Sequence, residues 1–295
     1  MAAVAGGGIA LSAILAVHFA NTQIEEKRHQ LIVEAMTFTD DLEQYLQGRE
    51  MIAKTVGAVF DAGDLSAPHP LRSIGRNILA LTPEIGLLAW VPQVDRSRIQ
   101  EVLNALAAAG RPPRLFGPNF EPLDAADTRP VLYPVVDIEP KSDDNQAGLG
   151  MDVSLSTIRK AAFEQARDEQ RVIATAPVRL LKPFDTTGYI LFSPVFSERG
   201  FAGCITFVFR AEQLLNGFAH ARHIPMNFRV YDATDPAQLK YLVGITRQGD
   251  IEAVISSVAP TTRKQFSIPW ALQGARCCCS SILDPISCKS ACSRR

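Results

Sequence analysis

A seven-residue repeat of apolar side chains marks the early part of the chain. Between Thr22 and Asp61 there is no proline, and most residues favour helix. The repeat consists of Leu31, Phe38, Tyr45, Ile52 and Val59, with Ala35, Leu42 and Val56 at the intervening positions and Arg49 as the one exception. This spacing predicts a helix over 22–62 with its apolar side chains on one side. Such a stripe either lies along the core of its own chain or pairs with a second copy. We expect both, with a stalk helix that forms a homodimer.

The middle of the chain alternates between apolar runs typical of strands and amphipathic runs typical of short helices. The strand-like runs are EIGLLAWVPQV, RPVLYPVVDIEP, RVIATAPVRLL, TGYILFSPVF, FAGCITFVFR and MNFRVYDA. The helix-like runs are LRSIGRNILALTP, DRSRIQEVLNALAAAG, the stretch from Gly150 to Gln170, and AEQLLNGFAH. Helices come first, one helix then crosses between strands, and adjacent strands pair through the polar turn SERG. This order predicts an α+β fold with largely antiparallel sheets, rather than a doubly wound parallel sheet.

The polar helix that follows Gly150 is the most informative junction of this region. Asp152 and Ser154 offer oxygen atoms to the free N–H groups at its start. Its apolar side is predicted to consist of Ile158, Ala161, Ala162, Phe163 and Ala166, and its solvent side of Arg159, Lys160, Glu164 and Arg167. Pro177 cannot donate to a sheet ladder, so the next strand is expected to be bulged or at an edge. A gap between that strand and the helix is a concavity of the kind that binds small ligands.

The first twenty residues, MAAVAGGGIALSAILAVHFA, contain no charged side chain. A helix of this length, at about 1.5 Å per residue, covers the roughly 30 Å hydrocarbon core of a membrane. A cleaved signal peptide is the alternative, but such a peptide usually begins with basic residues, and no Lys or Arg precedes Lys27. We therefore expect an uncleaved transmembrane anchor over 1–21. The charges of Glu25, Glu26, Lys27 and Arg28 cancel, so they do not set its orientation.

The overall charge and the cysteine spacing exclude several classes of function. Thirty basic and 31 acidic side chains give a net charge of −1, and no basic stripe indicates a nucleic-acid surface. Cys204 stands alone in an apolar run, whereas the tail contains Cys277, Cys278, Cys279, Cys288 and Cys292. These spacings lack the paired pattern of metal sites, so we predict neither a metal nor another cofactor. The tail over 271–295 is predicted to be an unstructured, cysteine-rich segment.

Two pairs of side chains are candidates for chemistry. His220 and His223 are three residues apart and could share a metal, but no third ligand is near, and surface histidines at a helix end are the commoner case. Asp137 and Glu139 alternate on a strand and share one face, where they could act as an acid pair, although solvation at a strand edge is the commoner explanation. No Walker, G-x-S-x-G, H-E-x-x-H or dinucleotide motif occurs. An extracytoplasmic, hydrolase-like enzyme is therefore the weaker alternative.

Four segments carry a resemblance to a known family. LYPVVDIEP, GLGMDVSLSTIRKAAFEQARD, ATAPVRLL and YILFSPVF, in this order, resemble the CHASE domain. The best match runs over 69–215, within a sensor domain over 66–270. The resemblance implies an extracytoplasmic sensory domain of a receptor histidine kinase or nucleotide cyclase, with a membrane helix, a stalk helix and two PAS-like subdomains with antiparallel sheets. It also implies a dimer that binds a small-molecule ligand in its membrane-distal pocket.

The resemblance extends to single residues of a ligand site. Thr175 matches the threonine that faces the ligand in the plant cytokinin receptors of the family, and Leu181 matches a pocket leucine. Ile158 occupies the position of the acidic residue that binds adenine there, so cytokinin binding is not expected. The resemblance and the strand placement of nearby side chains complete a predicted ligand-binding site of Thr175, Leu181, Met151, Tyr133 and Phe192.

These features predict a single-pass protein of the cell membrane with a periplasmic sensor domain, no enzymatic activity, and a role in two-component signal transduction. After RKQFSIPWAL, where the family continues into a second membrane helix, no apolar stretch approaches the roughly 20 residues of a span. The longest uncharged run there, Cys277–Leu283, is much shorter. We therefore expect a sensor separated from its output domain by a reading-frame change near Trp270.

Overall fold

The computed structural model describes residues 2–62, 71–124, 126–180, 186–222, 228–232, 240–245, 251–252, 265–272 and 275–280. The chain divides into two compact units, Met1–Gln44 and Tyr45–Arg295. The helices are α1 (Ala2–Val59), α2 (Leu71–Leu81), α3 (Ile99–Ala108), α4 (Asp143–Gln146), α5 (Thr157–Glu169) and α6 (Ala211–Ala221). The strands are β1 (Ile85–Pro92), β2 (Val94–Asp95), β3 (Val131–Leu132), β4 (Asp137–Glu139), β5 (Ile173–Ala174), β6 (Val178–Arg179), β7 (Thr187–Ser197), β8 (Gly200–Arg210), β9 (Phe228–Asp232), β10 (Lys240–Ile245), β11 (Ile251–Glu252), β12 (Gln265–Leu272) and β13 (Ala275–Ser280).

The long N-terminal helix is confirmed, but its buried side drifts away from the predicted stripe. The buried side chains of α1 include Ala35, Phe38, Leu42, Leu46, Ala53 and Val56. The stripe predicted burial at Tyr45, Ile52 and Val59; the first two are only partly buried, and Val59 is 66% exposed. The drift arises because a straight helix has about 3.6 residues per turn, whereas a strict heptad requires 3.5. Within the described part of the chain, no helix has an apolar stretch long enough to cross a membrane.

The first sheet is antiparallel throughout and confirms the predicted sheet type. Its strand order is β4-β1-β8-β7-β5, with β6 also paired to β7. When β5 and β6 are counted as one strand, the order in chain numbering within the sheet is 2-1-5-4-3, which is PAS-like. The hairpin of β7 and β8 closes at the predicted SERG turn, where Gly200 has a φ of +100° that favours glycine.

The second sheet has the order β11-β10-β9-β13-β12, and its described pairs are also antiparallel. The order β10-β9-β13-β12 repeats the order β4-β1-β8-β7 of the first sheet. In each sheet the strand that comes first in the chain pairs with the last one, β1 with β8 and β9 with β13. β13 lies in the cysteine-rich tail, where Cys278 pairs with Tyr231 of β9. The prediction of an unstructured tail over 271–295 is therefore wrong for the end of β12 at 271–272 and for Ala275–Ser280, while 273–274 and 281–295 lie outside the described residues.

Helix α5 covers the first sheet with a different side from the predicted one. Ile158 is 44% exposed, whereas Arg159 is 3% exposed. Arg159 shares its side with the buried Ala162, Phe163 and Ala166, at the spacing of one helical face. The predicted solvent position of Arg159 is wrong, and so is the predicted burial of Ile158 and Ala161, because the buried face of a helix is set by its rotation against the sheet and not by the hydrophobicity of single residues.

The start of α5 also differs from the prediction by a few residues. The Oγ of Ser156 accepts the N–H of Arg159 at 3.4 Å and caps the helix. Asp152 instead caps the short 3-10 turn Val153–Leu155, where it accepts the N–H of Ser154 at 2.9 Å. The polar residues before the helix therefore stabilise two consecutive turns, not one.

An ion pair between a partly exposed arginine and a buried glutamate explains the polar exception in the stripe of α1. Nε of Arg49 donates to Oε1 of Glu84 at 2.6 Å, and the hydroxyl of Tyr45 donates to the same oxygen at 3.1 Å. Glu84 directly precedes β1 and is 5% exposed. The ring of Tyr45 packs edge-on against Phe218 of α6, with centroids 5.4 Å apart. Arg49 is thus an ion-pair partner within the second compact unit.

Candidate functional site

A cavity lies on the face of the first sheet that α5 and the segment 135–153 cover. The space in it that is open to water-sized molecules is about 80 Å³. Its apolar lining comprises Leu87, Ala89, Val91, Val135, Ile138, Met151, Val153, Leu180, Ile190, Phe192 and Val208. The other lining residues described are Asp144, Asn145, Gly148, Arg159 and Thr206.

The floor of the cavity consists of two rows of side chains that run across the strands. Strand register places Ile138, Ala89, Thr206 and Phe192 opposite one another across β4, β1, β8 and β7. A second row contains Leu87, Val208 and Ile190. Directly paired residues of a sheet project from the same face, so alternate positions of each strand form one continuous apolar floor.

The segment that covers this floor is held at Gly150. Its φ of +90° lies in the left-handed region. Its N–H donates to the carbonyl of Val135 at 2.8 Å, and its carbonyl accepts the N–H of Phe116 at 3.1 Å. A Cβ at this position would lie 2.7 Å from the carbonyl oxygen of Arg114. Only glycine fits there without strain, and the arrangement places Met151 in the cavity wall.

Asp152, which directly follows Met151, has a fully buried carboxylate that holds this part of the covering segment in place. Its Oδ1 accepts the hydroxyl of Ser154 at 2.6 Å, and its Oδ2 pairs with Nη2 of Arg129 at 3.0 Å. Arg129 also donates from Nε to Asp127 at 2.7 Å, and this hydrogen bond holds the pKa of Asp127 below its ordinary value. The network ties the covering segment to the loop at 127–129.

Arg159 is the cation among the described lining residues. Its Nη2 donates to the carbonyl of Arg179 at 3.3 Å, and its Nη1 is 3.7 Å from Sδ of Met151. Its Nε has no hydrogen-bond partner among the residues that the structure describes. Burial lowers the pKa of Arg159, and no described charge counters this shift. A guanidinium has five N–H donors and remains charged in proteins, so a buried cation with unused donors faces the cavity.

Asn145 adds an acceptor to the lining. Its Nδ2 donates to the carbonyl of Pro140 at 3.0 Å, which orients the amide. Its Oδ1 is buried and has no partner among the described residues. The neighbouring Asp144 is exposed to solvent. Thr206 is already satisfied, because its hydroxyl donates to the carbonyl of Ala89 at 3.3 Å.

Two of the five predicted ligand-binding residues, Met151 and Phe192, line the cavity. Leu181 lies outside the described residues, although Leu180 before it is in the lining. Thr175 is buried beside the cavity and is not among the lining residues. Its Oγ1 accepts the N–H of Ile190 at 3.1 Å, so the hydroxyl is engaged by the main chain of β7.

Tyr133 is also buried outside the lining. Its ring stacks on Phe163 of α5 with centroids 4.4 Å apart, and its hydroxyl accepts from Nη1 of Arg167 at 3.4 Å. Phe163 in turn packs edge-on against Phe192, with centroids 5.6 Å apart. Tyr133 therefore supports the cavity wall through one intervening ring.

The predicted acid pair lies on the opposite side of the sheet from the cavity. Ile138 lines the cavity, and its neighbours Asp137 and Glu139 must project from the other face of β4. Glu139 is only 7% exposed and lies next to Gly75 of α2, so the explanation by edge solvation is wrong for it. Asp137 forms an ion pair with Lys141 at 3.6 Å. This pair does not serve the cavity.

His220, the described member of the predicted histidine pair, makes a local contact within α6. Nδ1 of His220 is 2.9 Å from the carbonyl oxygen of Asn216, and His223 lies outside the described residues. Among the described residues, no cluster of three or more His, Cys, Asp or Glu side chains could hold a metal. Cys204 is completely buried in β8, and burial raises the pKa of its thiol well above the ordinary value. The reactive thiolate is therefore disfavoured.

Sequence reasoning missed Arg159 and Asn145 as site residues. A signal for Arg159 existed, since it precedes Ala162, Phe163 and Ala166 by three, four and seven residues and so shares their side of the helix. No comparable pattern indicates Asn145. Its burial depends on how the segment after β4 folds over the sheet, which is a long-range property.

The first sheet has the PAS-like strand order, and its covered face holds an apolar cavity with a few polar groups, which is the kind of concavity that small molecules favour. The family model of the CHASE domain matches residues 75–242, which is more than half of the chain. The chain therefore belongs to the CHASE domain family, whose members are extracellular sensory domains, and the resemblance in the sequence is confirmed. The matched range contains all described lining residues of the cavity. A search of curated proteins gives no match.

Solved structures of several sensory domains are similar to the chain. The ligand-binding domain of the amino acid chemoreceptor PctB of Pseudomonas aeruginosa PAO1, in complex with L-Gln, has a TM-score of 0.48 and 12% identity, covering 84% of this chain and 88% of that chain. The ligand-binding domain of the Pseudomonas fluorescens chemoreceptor CtaA, in complex with L-alanine, has a TM-score of 0.45 and 13% identity, covering 86% and 96%. The extracellular domain of mmHK1S-Z2, described as a histidine kinase, has a TM-score of 0.38 and 15% identity. That match covers 66% of this chain and 65% of the other.

Proposed function

We propose that the chain is a membrane-anchored extracytoplasmic sensor that binds a small-molecule ligand in the cavity of its first sheet and serves transmembrane signal transduction. The cavity carries this proposal. It lies within the range that matches the CHASE domain, its walls are mainly apolar, and it holds a few polar groups that would orient a ligand.

The proposed location is the cell membrane, with the sensor domain on the periplasmic side. The uncharged residues over 1–21 are the proposed single-pass anchor. The helical conformation of α1, which continues from Ala2 to Val59, supports a direct connection from the anchor to the sensor. The proposed signalling context is that of the receptors in which CHASE domains occur, namely histidine kinases and nucleotide cyclases.

The proposed assembly is a homodimer that pairs through α1. Leu42, a member of the predicted stripe, is buried within the single chain and is not free to meet a partner. Met51, by contrast, is 60% exposed on the same helix. An apolar side chain in such a position supports pairing along a side of α1 other than the predicted stripe.

The proposed ligand contacts begin with Met151 and Phe192 in the cavity wall. Thr175 and Tyr133 are proposed to position the cavity wall without contacting the ligand. Thr175 does so through the N–H of Ile190, and Tyr133 through the ring of Phe163. Leu181 remains a proposed contact next to the lining residue Leu180.

The alternative, a hydrolase-like enzyme that uses the same cleft, has less support. A catalytic cavity requires a titratable group with an orienting partner. Asp144 is the carboxylate among the described lining residues, and it is exposed with no described side chain to orient it. Cation and acceptor groups without a paired nucleophile and base favour binding over reaction.

A thermal-shift screen with the full chain tests the sensor proposal. A ligand present at 100 times its Kd stabilises the folded state by about 2.7 kcal/mol, which gives a clear rise in Tm. Val208→Phe adds bulk to a half-buried residue of the cavity floor. Val131→Phe makes the same change at a half-buried residue outside the lining. We expect ligand stabilisation to disappear in the first variant and persist in the second. Stabilisation that survives Val208→Phe would place the ligand elsewhere.

A further inference from the structure

We infer that the ligand of this cavity carries a carboxylate, which the guanidinium of Arg159 binds; this inference rests on the proposed function. Arg159 lines the cavity, is 3% exposed and retains a donor without a partner in the described chain. Family membership alone does not indicate a carboxylate, because it does not specify which ligand group the guanidinium of Arg159 binds.

The energetic cost of burying Arg159 is the first argument. Removing a cation from water is strongly unfavourable unless an anion or a full set of hydrogen bonds compensates it. The two contacts that Arg159 makes use a carbonyl oxygen and a thioether sulfur, and the sulfur is a weak acceptor. Neither neutralises the charge. A ligand carboxylate would supply the missing charge and would accept two N–H groups of the planar fork.

The surroundings of Arg159 define the rest of the ligand. The cavity floor is apolar, so the body of the ligand is expected to be an aliphatic or aromatic group. The unused Oδ1 of Asn145 requires a donor, and the exposed Asp144 beside it favours a positive or donating group. The class that meets all three conditions is a small monocarboxylic acid with an apolar body and an amino or hydroxyl group.

A purely structural role for Arg159 is the competing explanation. In that case the residue would serve only to bind the carbonyl of Arg179 and to pack against Met151. The two explanations differ in the ligand-free protein. A structural arginine stabilises it, whereas an arginine held ready for an anion does not, and its replacement by an apolar side chain of similar size leaves the stability equal or higher.

The test is a thermal-shift and calorimetric comparison on the full chain, with matched pairs of probes. The panel contains the standard L-amino acids and short aliphatic and aryl monocarboxylates, each next to its neutral carboxamide, together with inorganic phosphate. We expect one or more carboxylates to raise the Tm, while their carboxamides and phosphate do not. Arg159→Met should weaken binding roughly 10- to 100-fold, the range of one hydrogen-bonded charge contact. Lys160→Met, which removes an exposed charge from the adjacent residue, should leave binding unchanged.

Each outcome decides the inference. Carboxamides that stabilise as well as the carboxylates, and lose this effect in Val208→Phe, would retain the sensor proposal and overturn the carboxylate. Phosphate binding that depends on Arg159 would indicate a general anion site and would also overturn it. A panel in which no carboxylate stabilises the protein contradicts the inference as well. A clear fall in the Tm of ligand-free Arg159→Met, with carboxylate binding intact, would assign the residue a structural role.

Discussion

The guanidinium of Arg49 and the carboxylate of Glu84 meet with Nε donating to Oε1 at 2.6 Å, and the hydroxyl of Tyr45 donates to the same oxygen. Arg49 and Tyr45 thus attach the C-terminal part of α1 to Glu84, the residue that precedes β1. Because β1 supplies Leu87, Ala89 and Val91 to the cavity, the ion pair connects α1 to a strand of the cavity floor.

Loss of Arg49 is expected to be costly, because it leaves the carboxylate of Glu84 buried without its partner. We expect Arg49→Met to lower the free energy of unfolding by about 3 kcal/mol. The double variant Arg49→Met/Glu84→Gln should recover part of the loss, since a neutral amide still accepts from Tyr45. Urea denaturation of the parent, both single variants and the double variant gives the coupling energy. Strict additivity of the two changes would show that the pair contributes nothing.

Tyr45 is expected to make stability depend on pH in the alkaline range. Burial, the largest cause, raises the pKa of Tyr45 from 10.0 to about 12, and the neighbouring Arg49 opposes the shift. The folded state therefore holds its proton more tightly than the unfolded chain. The contribution of Tyr45 is complete below pH 10 and is lost as the pH rises towards about 12. Denaturation curves across this range should show a smaller decline for Tyr45→Phe than for the parent. An equal decline in both would assign the effect to other groups.

Two glycines of α1 should respond to alanine in opposite directions. A Cβ at Gly57 would overlap Oγ of Ser193 on β7 and lie 3.2 Å from the carbonyl oxygen of Pro194, whereas a Cβ at Gly48 would meet nothing within 4 Å. We expect Gly57→Ala to destabilise the protein by about 1–3 kcal/mol through overpacking. Gly48→Ala should stabilise it by about 0.5–1 kcal/mol, since alanine favours helix. Thermal denaturation of both variants is the measurement. Equal effects of the two changes would contradict the close packing at Gly57.

A cysteine at Met51 tests the proposed dimer better than one at Leu42, which is buried. We expect Met51→Cys to cross-link two chains in membranes, in a background whose tail cysteines are replaced by serine. Arg199→Cys, in the exposed turn between β7 and β8, reports random collision. Non-reducing electrophoresis after mild oxidation separates the two cases. Equal dimer yields at the two positions would argue against pairing through this side of α1.

The sequence predicts the elements of the fold well, because their signals are local. The apolar runs of β7 and β8, the turn between them and the absence of proline from α1 all identify structure within short windows. The shift of the buried positions from Tyr45 to Leu46 and from Ile52 to Ala53 is harder to predict from the sequence. It depends on whether the helix is straight or supercoiled, and a heptad pattern does not decide this question.

The site is predicted less well than the fold. Met151 and Phe192, predicted from the resemblance together with their strand placement, line the cavity, but Thr175 is engaged by the main chain at Ile190. Asn145 reaches the lining only because the chain after β4 returns over the sheet. Arg159 shows the limit most clearly, because a charged residue is ordinarily assigned to solvent and its burial becomes credible only with a cavity beside it.

Adjacent residues of β7 serve two different neighbours. Phe192 lines the cavity, and Ser193 lies against Gly57 of α1 on the opposite face of the sheet. The wall of the cavity and the surface that contacts α1 are thus opposite faces of one strand, formed by adjacent residues. A displacement of β7 by even a fraction of an ångström at Phe192 is consequently a displacement at Gly57, and the helix must either follow it or lose its contact.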